Sequence, residues 1–84
     1  PTPFSDRCSV VLDLPSPASR AVLAVFDVSG RKVITLHDAP LPRGRREFSW
    51  DGSDEAGSQC ASGIDFLHCD AGSAVLQQRV TLMR

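Results

Sequence analysis

Two histidines, three cysteines and a cluster of carboxylates are the residues of this 84-residue chain whose types could carry chemistry. His68 stands directly before Cys69, and in a catalytic dyad an imidazole takes the thiol proton. Consecutive residues of a strand point to opposite faces, so these two cannot activate one another. His37 ends a strand beside Asp38, with no nucleophile at a useful spacing. No catalytic residue is therefore assigned, and no cofactor is expected. "DVSGRK", residues 27–32, has a glycine but not the G-x-x-x-x-G-K-[ST] spacing of a phosphate loop, and no helix follows it. Cys60, His68 and Cys69 lack the paired C-x-x-C knuckle of a structural zinc site. The metal candidates are Asp51, Asp54 and Glu55, because calcium favours carboxylates gathered on a loop. Their spacing departs from the D-x-[DN]-x-[DN]-G ladder, and Asp51 is expected instead to accept a backbone N–H two residues on.

Binding chemistry is equally restricted. Net charge is −1 with 23% charged residues, which argues against a nucleic-acid or anionic-membrane surface. "PRGRRE" gathers Arg43, Arg45 and Arg46 around Gly44; they are the candidate partner-binding residues, set against a solvated loop and strand edge. Carbohydrate recognition needs exposed aromatic platforms, whereas the single Trp and four Phe fall mostly at inward-looking positions. No apolar run reaches the ~18 residues of a membrane span, so membrane insertion is not expected. Cys8, Cys60 and Cys69 admit at most one intramolecular disulfide. They are read first as small buried or half-buried hydrophobes; spacing selects neither a Cys60–Cys69 nor a Cys8–Cys69 bridge.

The elements that would position these residues are short. "CSVVLDL", 8–14, alternates Val10, Leu12 and Leu14 and stops at Pro15-Ser16-Pro17. "AVLAVFD", 21–27, is apolar on both faces, as suits a central strand. "RKVITL", 31–36, follows across Asp27-Val28-Ser29-Gly30, whose residue types suit a tight turn with positive φ. "DAPLPRG" reads as a proline-broken loop, and "RREFSWD" as a strand with Phe48 and Trp50 on one face. "DGSDEAGSQCASG", 51–63, is a long connection built of turns. "GIDFLHC" sets Ile64, Phe66 and His68 on one face and Asp65, Leu67 and Cys69 on the other; after the turn Asp70–Ser73, residues 74–84 form a long last strand. Strands at a spacing of about ten residues without an amphipathic helix predict an all-β sandwich or barrel.

In order, the chain carries "LP" closing the first strand, "VFDVSGRKVITL", "LPRG", "WDGSDEAG", "ASG" before a strand, "AG" before the last, and "RVTLMR". This series resembles the Ig-like domain named after FlgD, the flagellar hook-capping protein, over nearly the whole chain from Pro3-Phe4 to Arg84. "WDG-x-D-x-x-G" followed by "ASG" is its most specific part, and "DVSGR-x-V" the next. In position and length the chain is also similar to the C-terminal sorting domains of type IX secretion. Members of the FlgD-type family usually carry aromatic residues, often tyrosines, in the strand after "ASG"; here that strand is Ile64-Asp65-Phe66-Leu67-His68, and the chain has no tyrosine.

Pattern and resemblance together predict one Ig-like, fibronectin III-like β-sandwich of six to seven antiparallel strands over residues 1–84. Leu12, Leu23, Val25, Val33, Trp50, Phe66 and Leu82 are its expected core, with Trp50 the anchor and Gly30, Gly52 and Gly63 structural. The chain begins with Pro1 rather than Met and is read as a piece of a longer polypeptide. The resemblance implies a C-terminal module of a secreted or surface-exposed bacterial protein, non-catalytic, serving secretion, anchoring or assembly of its parent. The implied partners are the upstream domain of the same chain and secretion or cell-surface machinery. A hook-cap-like structural domain, a carbohydrate-binding module and a bare spacer are the competing readings. The final strand, placed at a sheet edge, would be suited to pair with a partner.

Overall fold

Alternation in "CSVVLDL" puts Val10, Leu12 and Leu14 on one face, and in the computed structural model, which describes residues 3–72 and 74–84, all three are buried in strand β1 (Cys8–Leu14). Ser73, the last residue of the expected 70–73 turn, lies outside the described residues. The remaining strands are β2 (Ala18–Asp27), β3 (Lys32–Leu41), β4 (Gly44–Trp50), β5 (Gly63–Asp70) and β6 (Val75–Leu82). β1 and β4 pair antiparallel in a two-stranded sheet, and the other sheet runs β3-β2-β5-β6, also antiparallel. The two sheets enclose one apolar cluster, so the molecule is an Ig-like β-sandwich of six strands.

The register explains the core. Leu23 pairs with Cys69 and Val25 with Leu67, which sends all four side chains toward the smaller sheet. Trp50, Leu23, Leu82, Val25 and Cys69 are the largest side chains withdrawn almost wholly from water. Trp50 packs its ring 5.6 Å from that of Phe4 and donates its indole N–H to Ser53 O at 2.8 Å. Its polar atom is thereby satisfied, as a buried indole requires.

Three expectations need correction. Phe66 is only half-buried, because the inward face of β5 is Asp65-Leu67-Cys69; Phe66 pairs with Phe26 on the outer face. Val33 is half-buried against the core rather than inside it. The register along β3 slips at Val33 and at Leu36, and each extra residue disrupts strict alternation, leaving residues 33–37 all half-buried. Finally, "DAPL" is not a loop: β3 continues through Pro40 to Leu41, with Ala39 opposite Ala21 and Leu41 opposite Ala18. β3 is an edge strand, where a residue without N–H is tolerated.

The 27–30 turn is a hairpin corner. Gly30 N–H donates to Asp27 O at 3.0 Å, and Gly30 takes φ +87°, the left-handed conformation that closes a three-residue hairpin loop. Asp27 Oδ1 accepts from Ser29 N–H, Ser29 Oγ–H and Arg31 N–H.

Candidate functional site

The residues singled out for chemistry are consumed by structure. Asp51 Oδ1 accepts from Ser53 N–H at 3.0 Å and from its hydroxyl at 2.5 Å. Asp54 Oδ1 accepts from Ala56 and Ser58 N–H, both at 3.0 Å. Glu55 reaches from the loop to β3: its Oε1 accepts Thr35 N–H at 3.0 Å while its own N–H donates to Val33 O at 3.2 Å. Glu55 thus covers part of the free edge of β3, a device that blunts edge pairing. The three carboxylates serve three separate backbone clients, and no group of three metal-capable side chains gathers among the described residues. The bonds to Ser53 hold the Asp51 carboxyl below its ordinary range.

The arginines also separate. Arg45 and Arg46 are consecutive on β4 and point to opposite faces. Arg45 lies opposite Asp13 across the strand pair, and Arg46 places its guanidinium 5.4 Å from the centre of the Phe48 ring. Arg43 is exposed just ahead of β4. All three cysteines are free thiols, with Cys69 buried and Cys8 and Cys60 half-buried. Burial pushes all three thiols up, Asp65 adding to the effect at Cys8 and Cys60. His68 and Cys69 face opposite ways; His68 Nδ1 lies 3.3 Å from Gln77 Oε1, and Cys69 is in the core.

What the structure does assemble is one end of the sandwich. Arg84 ties it: Nε donates to Cys60 O at 2.7 Å, Nη2 to Gly52 O at 2.9 Å and Nη1 to Ser5 O at 3.4 Å. Its N–H donates to Ser62 Oγ at 2.8 Å. Gly52 (φ +81°) has no side chain to obstruct this guanidinium. Beside this tie lies an open cleft of about 650 Å³ between the 27–31 turn, the 54–62 loop and the start of β5. Asp65 lines it, only 6% exposed, and no hydrogen bond or ion pair is made by its carboxylate among the described residues. Burial and then the neighbouring Asp27 raise its pKa. The sequence signal for this residue is a lone carboxylate in the alternation Asp65-Leu67-Cys69, whereas nothing in the sequence marks Arg84 as a tie.

A raised folded-state pKa means that Asp65 favours folding while protonated, and that this contribution is lost as pH rises through the raised value. Asp65→Asn is therefore expected to be more stable than the parent at pH 7. The gap should close as pH falls through the raised value toward the ordinary ~3.9. Asp38 and Asp51, whose pKa values are lowered, act in the opposite sense but equally in both proteins. Urea titrations of the pair between pH 3 and pH 8 measure the gap; a constant gap contradicts it.

With this geometry established, comparison with known proteins gives the family. The FlgD Ig-like domain family matches over residues 4–65. The chain belongs to this family. A crystal structure of FlgD from P. aeruginosa is similar with a TM-score of 0.71, at 23% identity, over 92% of this chain and 60% of that one. That likeness is one of fold, and this chain spans about 60% of the length of the FlgD chain. No curated protein matches. Within this chain, "WDGSDEAG" corresponds to the buried Trp50 and the Asp51 and Asp54 turns, and "DVSGR" to the Asp27 hairpin.

Proposed function

We infer that this domain is a non-catalytic structural module of a flagellar hook-cap-type assembly, held in place by contacts of its sheet edge and by the rest of its parent chain. Membership of the FlgD Ig-like family carries the reading. It favours the hook-cap role over export, sorting or surface anchoring, for which only the position-based likeness to sorting domains speaks. The place of action that goes with it is the outer side of the cell envelope, where a hook grows.

The surface suits assembly. β6 is an edge strand, joined on its far side among the described residues only near Leu82, where Phe4 N–H donates to Thr81 O at 2.9 Å and Met83 N–H to Phe4 O at 2.8 Å. The earlier part of β6 has no such cover among the described residues, and Val75 and Leu76 are 61% and 41% exposed there. An edge of this kind offers backbone groups and apolar side chains to a partner strand.

The test is deletion of residues 3–84 from the parent protein in its own bacterium, scoring hooks by electron microscopy and the truncated parent in the culture fluid. Loss of hooks with export intact is the expected result. Normal hooks, or hooks lost only because export fails, would overturn the reading in favour of a spacer or a sorting module.

A further inference from the structure

The geometry points to the Asp65 cleft as a receptor for a single basic side chain, lysine or arginine, presented by a partner polypeptide. Three observations carry it, and none depends on the hook reading. First, Asp65 is more than nine-tenths buried as a residue and lines the cleft, its carboxylate makes no hydrogen bond or ion pair among the described residues, and neither oxygen is sealed off from the cleft. A buried carboxylate without a partner is costly to ionise, and a cation brought to it removes that cost. Second, the charge around it is unbalanced: Asp27, Asp54, Glu55 and Asp65 face Arg31 and Lys32. Arg31 is already 3.4 Å from Asp27. Asp54 and Glu55 each use one oxygen on backbone N–H groups. Third, the cleft is larger than an ion requires, about 650 Å³, and Val28, Val33 and Ile64 give it apolar walls. Apolar walls above a carboxylate match a long side chain whose alkyl stem is buried and whose head is charged.

A hard metal ion fits poorly, because such ions take six or more oxygens and the described residues gather no cluster of three metal-capable side chains. An ammonium offers three donors and a guanidinium a planar fork. Either can engage Asp65 and also offset its repulsion with Asp27.

The experiment uses the 84-residue chain labelled with ¹⁵N and ¹³C, and three probes: the N-acetyl methylamides of lysine, arginine and norleucine. Saturable shifts of the Ser62, Gly63 and Asp65 amides are expected in the millimolar range for the two cations and not for norleucine. Asp65→Asn should weaken binding at least about tenfold, corresponding to one lost charge-assisted hydrogen bond, while Asp13→Asn on β1 leaves it unchanged. A second readout needs no variant: the Asp65 carboxyl titration should move to lower pH when either cation is present. Equal response to norleucine, unchanged binding by Asp65→Asn, or a titration midpoint that the cations do not move would each overturn the proposal.

Discussion

Trp50→Ala is expected to unfold the domain or to leave it barely folded. The indole is 1% exposed, touches Phe4 and satisfies its N–H on Ser53 O. Truncating a buried ring of this size costs ~3–5 kcal/mol, transfer and cavity together. A domain of this length has a total stability of the same order, so the loss is not absorbed. Trp50→Phe keeps a ring and gives up the hydrogen bond, and should cost distinctly less, about 1–2 kcal/mol. Chemical denaturation followed by far-UV circular dichroism reads both; a Trp50→Ala midpoint near that of the parent would remove Trp50 from its role as anchor.

Gly52→Val should be the most damaging of the turn-glycine substitutions. A side chain at φ +81° costs ~1–2 kcal/mol in backbone strain, and the new Cβ would stand 2.5 Å from Nη2 of Arg84. Arg84 must then leave Gly52 O and loosen its hold on Cys60 O, for a combined loss of roughly 2–4 kcal/mol. Gly30 has φ +87° but nothing within 4 Å of an added Cβ, so Gly30→Val should show the strain alone. In the Arg84→Ala background the difference between the two glycines should shrink, which a double-mutant cycle measures. Equal effects in both backgrounds would mean that Arg84 is not what Gly52 makes room for.

The strands were legible because short apolar runs, alternating in β1 and continuous in β2, fall between Pro, Gly and Asp punctuation. Two things misled the reading of faces. On β5, the rule that aromatics go inside and carboxylates outside favours Phe66 over Asp65, yet the partner register of β2 dictates the reverse. On β3, alternation fails at Val33 and Leu36 because a slipped register is a property of the pair of strands and leaves no mark in one of them. Pro40 reads as a breaker unless the strand is known to lie at an edge, which is decided by topology. The same limit applies to the site. Asp51 as a turn-former was readable from local spacing, whereas the bonds of Glu55 to Thr35 and of Arg84 to three distant carbonyls join residues far apart in the chain.

The bridge between Phe4 and Leu82 is parallel, and this sets how the domain answers to mechanical load. Tension drawn from Phe4 toward the start of the chain and from Arg84 toward its end pulls two strands running the same way in opposite directions. The bonds between Phe4 and its neighbours Thr81 and Met83, and the Arg84 contact with Ser5, are then sheared together rather than peeled one by one. The weak point under force is this small group of bonds at one end of the sandwich, while the core around Trp50 stays shielded until they yield. Resistance to pulling is governed by the rate of crossing that barrier and not by equilibrium stability, so Arg84→Ala should lower the unfolding force by a larger fraction than it lowers the denaturation midpoint.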